Sequence, residues 1–162
     1  MEQLVTYRNA TQIGPWREVA ENIVVVPFWT AEFCKHVIAA AELLNEFKPY
    51  GPDITNNAAP GQELRINRIS PRFAENFAAH LSNYLSPILR SHWWPLKLGP
   101  IRMPFVLRYS SDTQASLDSH HDAAMVSLAM PLNTGYQGGE LTFPRQHWNS
   151  CLLYTSPSPR DS

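Results

Sequence analysis

The first third of the chain shows a short apolar run followed by apolar residues at helical spacing. Residues 23–28 read IVVVPF, a β-branched run that predicts a strand, which its proline ends or places at a sheet edge. Thr30 and Glu32 are typical of a helix N-cap and first turn, and the apolar spacing after them predicts a helix as far as Phe47. The sequence PYGP at residues 49–52 is expected to stop this helix.

The same order of strand and helix recurs after a predicted loop at residues 51–61. Leu64 and Ile66 alternate with polar residues, as in a strand. Ser70 followed by proline is typical of an N-cap, and it predicts a second helix with one apolar stripe. This helix is expected to fray or kink near Pro87.

From residue 103 onward the hydrophobic pattern changes to a period of two, which is typical of strands. The two faces of the first such strand carry Phe105, Leu107 and Tyr109 on one side and Val106 and Arg108 on the other. Further strands are predicted at residues 125–132 and 140–143, with the turn-forming residues 133–139 between them. Helices first and short strands later predict an α+β fold, in which helices support a sheet or barrel.

Composition narrows the class of protein. The length of 162 residues fits one domain, and 44% hydrophobic with 17% charged residues are the proportions of an ordinary globular protein. A net charge of −1 without a basic cluster argues against a nucleic-acid partner. The longest apolar runs are too short to predict a transmembrane segment. The two cysteines form neither a disulfide framework nor a zinc spacing, so they leave the compartment undecided.

The sequence His120-His121-Asp122 is the main candidate for chemistry. In an extended chain His120 and Asp122 point to the same side, while His121 faces away. Two histidines and one carboxylate on one face of a metal ion are the ligand set of non-haem Fe(II) oxygenases. The tripeptide is short enough to arise by chance, and a polar turn before a strand is the alternative interpretation.

The residues around this tripeptide extend the pattern. Residues 106–146 read VLRYSSDTQASLDSHHDAAMVSLAMPLNTGYQGGELTFPRQ. The features that matter, in order, are Arg108-Tyr109, His120-His121-Asp122, Leu132-Asn133, Gly138-Gly139-Glu140 and Phe143-Pro144. This segment resembles the catalytic core of the Fe(II)/2-oxoglutarate-dependent dioxygenases of the procollagen lysyl hydroxylase and prolyl hydroxylase type. A weaker resemblance extends over residues 23–149.

The resemblance implies a double-stranded β-helix, a jelly-roll or cupin-like core with buttressing N-terminal helices. His120 and Asp122 match the first two iron ligands. Tyr109 matches a tyrosine that lies near 2-oxoglutarate in the related prolyl hydroxylases, and a tyrosine at the edge of the core is its alternative interpretation. In this family 2-oxoglutarate chelates Fe(II) and is decarboxylated to succinate as O2 is used to hydroxylate a C–H bond. Ascorbate keeps the iron reduced.

The implied substrate is a protein or peptide side chain, with lysine favoured over proline. A prolyl hydroxylase and a non-catalytic β-barrel binding module are the alternatives. A lysyl hydroxylase-like protein is expected in the endoplasmic reticulum or secretory pathway, and a protein of another type in the cytoplasm. The oligomeric state is not indicated by the sequence.

The sequence departs from the family towards its end. The family has a second histidine ligand and, beyond it, a basic residue that holds 2-oxoglutarate, and neither has a match here. His147 is the only histidine after Asp122 and precedes the expected position. Residues 151–162, CLLYTSPSPRDS, resemble a translated transposon-end sequencing adaptor. We therefore expect an arm at residues 1–22, a partial dioxygenase domain at 23–150 that lacks its last strands and turns over little, and a non-native tail.

Overall fold

The computed structural model describes residues 10–49, 62–95, 97, 99–101, 104–113, 115–117, 119–122 and 124–150. The predicted loop at residues 51–61 and the predicted tail at 151–162 lie outside the described residues. In the described part, no helix has the length and apolar character needed to cross a membrane.

A two-stranded antiparallel hairpin begins the described chain. Its strands are Arg17–Ala20 (β1) and Ile23–Val25 (β2), and Asn22 in the turn has a φ of 62°. Asparagine tolerates this left-handed conformation better than most residues. Strand β2 confirms the prediction from the β-branched run. Strand β1 was not predicted, because REVA has no strand-like alternation, and residues 1–22 were assigned to an arm.

The first helix confirms its predicted start. It covers Ala31–Leu44 (α1), and the side chain of Thr30 accepts a hydrogen bond from the backbone N–H of Phe33 at 3.2 Å. This bond satisfies one of the N–H groups that a helix start leaves without an internal partner. The helix ends at Asn45, which has a φ of 47°, and therefore stops earlier than the expected end at Phe47. The left-handed residue turns the chain before the proline is reached.

A three-stranded antiparallel sheet connects the two halves of the chain. Its strands, in the order β3-β4-β5, are Lys48–Pro49, Gln62–Arg65 and Phe105–Arg108. Leu64 of β4 lies opposite Val106 of β5, and both pack against the hydrophobic core. The predicted strand around Leu64 is therefore confirmed, although it ends one residue before Ile66.

Two helices follow β4 directly. The single turn Ile66–Ile69 (α2) leads into Pro71–His80 (α3). The side chain of Ser70 accepts a hydrogen bond from the N–H of Phe73 at 3.3 Å, which confirms the predicted N-cap. Proline suits the first helical position because its missing N–H would have no helical partner there.

A π-helical turn replaces regular α-helix just before Pro87, near the position where a perturbation was predicted. It covers Leu81–Leu85 and is followed by Ser86–His92 (α4). The backbone N–H of Ser86 bonds to the carbonyl of Leu81, five residues earlier. The next residue, Pro87, has no N–H to donate, and its ring would clash with the carbonyl four residues back in a regular α-helix. The wider turn removes that clash and keeps the helix continuous.

The hydrophobic core lies between the helices and the sheet. Its centre is Trp29, whose ring lies 5.0 Å from that of Phe33, 5.7 Å from that of Phe73 and 5.4 Å from that of Phe77. The buried members are Ala10, Phe28, Trp29, Phe33, Cys34, Val37, Ala40, Ala41, Leu64, Ile66, Ile69, Phe73 and Phe77. These aromatic contacts add to the free energy of burial because tilted and edge-to-face rings attract each other.

Residues 109–141 contain no helix or strand among those that the structure describes. The prediction of a paired strand at residues 125–132 is wrong, because no strand of the described chain pairs with this segment. The predicted alternation is partly retained. Val126, Met130 and Leu132 are half-buried, whereas Ala129 and Pro131 between them are exposed. Met130 and Leu132 pack against the core.

A small hairpin ends the described chain. Thr142–Phe143 (β6) pairs with Trp148–Asn149 (β7), so part of the predicted strand at 140–143 is confirmed. Gly138 and Gly139 before it have φ values of 76° and 71°, the free backbone geometry expected of this glycine pair. The described sheets do not form a closed barrel, and the double-stranded β-helix stays a prediction.

Candidate metal centre

The candidate site follows directly after β5, and Arg108 fixes the end of that strand. Its guanidinium group donates hydrogen bonds to the carboxylate of Glu42 at 2.9 Å and to the side chain of Gln62 at 2.7 Å. It also lies 4.2 Å from the ring centroid of Phe47. Arg108 thus ties β5 to α1, to the loop after α1 and to β4. A planar guanidinium can make such contacts at once, which a lysine ammonium cannot.

Tyr109 comes next and falls on the opposite face of the strand, in phase with Phe105 and Leu107. The three residues are 45%, 46% and 38% exposed, respectively. Partial burial raises the pKa of the Tyr109 phenol above its ordinary value of 10.0, because desolvation disfavours the phenolate. A tyrosine with a pKa of 10.0 is already protonated at neutral pH, and the upward shift only extends that range, so the phenol can donate a hydrogen bond.

His120 and Asp122 lie in contact. Nε2 of His120 is 3.1 Å from Oδ1 of Asp122, and the two side chains are 35% and 50% exposed. The prediction that they point to the same side is confirmed. His121 lies between them in the chain and is exposed.

The spacing of these two atoms suits a shared metal ion. A first-row divalent ion binds imidazole nitrogen and carboxylate oxygen at about 2.1 Å, and neighbouring ligands subtend about 90°, so their donor atoms lie about 3.0 Å apart. The observed separation of Nε2 of His120 from Oδ1 of Asp122 is 3.1 Å. The same separation is also that of a charge-assisted hydrogen bond. The separation is therefore compatible both with a direct hydrogen bond and with two adjacent positions around one ion.

Ser127 is a member of this cluster that the sequence did not predict. Its hydroxyl donates a hydrogen bond to Oδ2 of Asp122. In a straight extended chain, residues five apart lie on opposite faces and about 17 Å apart. The bends at residues 124–126 turn the chain back and bring the two side chains together. The contact between Ser127 and Asp122 was not predicted, because residues 125–132 were expected to form a straight strand.

Among the described residues, no third metal-ligating side chain joins His120 and Asp122. No group of three histidine, cysteine, aspartate or glutamate side chains gathers in the part of the chain that the structure describes. His147 caps the 3₁₀ turn Pro144–Gln146 with a φ of 50° and is exposed. Contacts join His120 to Asp122 and Asp122 to Ser127, and Tyr109 makes no hydrogen bond to these three side chains in the part of the chain that the structure describes.

Comparison with known proteins shows similarity to two hydroxylases. The chain is 23% identical over 124 residues to a procollagen lysyl hydroxylase and glycosyltransferase of Acanthamoeba polyphaga mimivirus, which covers 73% of the chain and 14% of that protein. It is 26% identical over 144 residues to a multifunctional procollagen lysine hydroxylase and glycosyltransferase of Caenorhabditis elegans, which covers 79% of the chain and 19% of that protein. No protein-family model matches the sequence.

The chain spans less than a fifth of the length of these relatives. Both relatives are named for the hydroxylation of procollagen lysine, which is an oxidoreductase activity. The similarity therefore points to an enzyme family of the hydroxylase type.

Proposed function

We propose that the chain is part of a dioxygenase that hydroxylates a peptidyl side chain, lysine, with Fe(II), 2-oxoglutarate and O2. The observation that carries this proposal is the 3.1 Å separation of Nε2 of His120 and Oδ1 of Asp122, which suits adjacent ligands of one ion. The similarity to two proteins named as procollagen lysine hydroxylases supports it independently.

In this proposal His120 and Asp122 hold the ion through one nitrogen and one oxygen. If they hold Fe(II), the ion would supply the redox chemistry by which 2-oxoglutarate and O2 are used. Both side chains are partly exposed, so a peptide can approach them from solvent. His121 is given no role in this proposal, because the residue between two that share one side of an extended chain is expected to face away.

Tyr109 is proposed to bind the co-substrate. Its phenol is protonated at neutral pH, as any tyrosine near its ordinary pKa is, and burial raises that pKa further. In this proposal the phenol donates a hydrogen bond and carries no charge that would repel a dicarboxylate. Arg108, the next residue towards the N-terminus, fixes the strand end through Glu42 and Gln62. The position of Tyr109 is thereby held by its neighbour.

The test compares two adjacent histidines. The 162-residue chain is titrated with Mn(II), whose free-ion electron paramagnetic resonance signal falls on binding. His120→Ala and Asp122→Ala should each weaken binding at least about tenfold, because each removes a donor atom. His121→Ala is the matched control and should bind as the wild type does. Equal affinities of the His120→Ala and His121→Ala variants would contradict the proposal.

Turnover is measured on the longest reading frame that contains this chain, with Fe(II), 2-oxoglutarate and ascorbate. Lysine-containing and proline-containing peptides are assayed side by side for succinate formation and for the gain of one oxygen atom. Hydroxylation of the lysine peptide, lost in the His120→Ala variant, is the expected result. Preference for the proline peptide would replace lysine by proline as substrate. Metal binding without succinate formation would favour a non-catalytic binding module.

A further inference from the structure

We infer that Ser127 is a positioning residue. It makes Asp122 bind a metal ion through one oxygen only, and it orients that oxygen towards the ion that Asp122 would share with His120. The inference rests on the proposed function and names a further residue of the same site. Nothing in the sequence pattern assigned a role to Ser127.

The two oxygens of Asp122 have different partners. Oδ2 accepts the hydrogen bond from the hydroxyl of Ser127, and Oδ1 lies 3.1 Å from Nε2 of His120. A carboxylate can bind an ion through one oxygen or through both. With Oδ2 engaged by a hydroxyl donor, Oδ1 is the oxygen that remains directed towards His120. Ser127 therefore selects both the oxygen that binds and the number of coordination positions that Asp122 takes.

Ser127 also links Asp122 to a segment that continues into the hydrophobic core. Among the described residues, 109–141 have no helix or strand, so regular backbone pairing does not hold Asp122 in place. Beyond Ser127, Met130 and Leu132 pack against the hydrophobic core. The hydroxyl–carboxylate bond crosses the bends at residues 124–126 and joins the ligand to this anchored segment.

An orienting hydrogen bond of this kind has a recognisable effect. Partners that hydrogen-bond to metal ligands restrict the orientation of those ligands, and their removal typically costs 10- to 100-fold in affinity or activity. Because Ser127 and Asp122 are both exposed, the same bond contributes little to folding. A positioning role therefore predicts a large effect on metal affinity with almost none on the unfolding temperature.

The experiment uses the full 162-residue chain and Mn(II) as the probe. We expect Ser127→Ala to weaken Mn(II) binding about tenfold, and Ser127→Thr to restore it, since threonine keeps the hydroxyl. Ser111→Ala is the matched control, because it removes another exposed serine–aspartate bond, from Ser111 to Asp112 at 3.3 Å, outside the cluster. Thermal unfolding is followed for every variant by circular dichroism.

Each result separates the inference from the proposed function. Weaker binding by the Ser127→Ala variant, with rescue by Ser127→Thr and equal unfolding temperatures, supports positioning. If Asp122→Ala loses Mn(II) and Ser127→Ala binds as the wild type does, the metal site stands and the positioning role is wrong. If wild type and Asp122→Ala bind equally weakly, the metal site fails and the role of Ser127 fails with it. A lower unfolding temperature of Ser127→Ala with unchanged affinity assigns the bond to folding alone.

Discussion

Two regions of the chain differ in how they are held together. In their described part, residues 28–92 contain the helices α1 to α4, the π-helical turn and most of the buried residues, with Phe73 only 1% exposed. Residues 109–141 contain no helix or strand in their described part, and none of the described residues there is buried. The candidate metal ligands all lie in this second region. Folding free energy is thus concentrated in one region and the candidate chemistry in the other.

The difference shows which kind of interaction each region depends on. The first region is stabilised by the burial of aromatic rings around Trp29, which is non-directional and involves many contacts. The second is positioned by a few directed polar contacts, among them those of Arg108 at its entrance and of Ser127 within it. Substitutions in the first region should therefore change stability, and substitutions in the second should change binding.

The largest expected effect is in the core. Phe73→Ala should destabilise the folded state by about 3–5 kcal/mol, because the change removes a buried ring and leaves a cavity beside Trp29 and Phe33. Phe105→Ala is the matched control, since Phe105 is 46% exposed, and should cost less than about 1 kcal/mol. Urea unfolding measures both free energies. Similar losses for the two variants would remove the distinction between the regions.

An intermediate effect is expected where the two regions meet. Arg108→Met keeps the length of the side chain but loses its bonds to Glu42 and Gln62, and should cost about 1–2 kcal/mol because both bonds are at least partly exposed. Arg145→Met, at an exposed position near the end of the described chain, is the control and should be neutral. Equal unfolding midpoints in urea for the two variants would show that Arg108 does not join the regions.

The smallest effect depends on pH. His80 packs against Phe28 and Tyr84, and burial lowers its pKa below the ordinary value of 6.5. The unfolded chain therefore takes up this proton at a higher pH than the folded protein does. Neutral His80 makes its full contribution to stability above pH 6.5. This contribution is lost as the pH falls from 6.5 towards the lower pKa of His80 in the folded protein.

His80→Phe should flatten this dependence. The unfolding temperature of the wild type should fall more steeply than that of the variant between about pH 7 and pH 5, because phenylalanine does not titrate there. Parallel curves for the two proteins would mean that His80 does not contribute to acid sensitivity.

Local signals in the sequence predicted the first region well. Thr30 and Ser70 both cap helices as expected, because N-capping depends on a side chain and a backbone N–H three residues away. The perturbation near Pro87 was also predicted, although not its form as a π-helical turn. Strand β1 was missed, since its pairing with β2 is set by the turn at Asn22 and not by its own composition.

The second region was predicted less completely, because its structure depends on partners distant in the chain. The period of two placed His120 and Asp122 on one side, and the structure brings them together. The same period predicted a paired strand at residues 125–132, where the described chain supplies no neighbouring strand. The structure has bends at residues 124–126 that bring Ser127 to Asp122, and the prediction of a straight strand could not show this contact.

The π-helical turn at Leu81–Leu85 sets the rotational phase of the helix that follows it. Each residue of an α-helix adds about 100° of rotation about the helix axis. Removing one residue from the π-helical turn would therefore rotate α4 about its axis by that angle. In the structure, the indole N–H of Trp93, the residue after α4, donates a hydrogen bond to the side-chain oxygen of Asn22 at 2.8 Å. The extra residue in the π-helical turn therefore sets the rotation of α4 about its axis, and with it the direction in which Trp93 faces the β1–β2 hairpin.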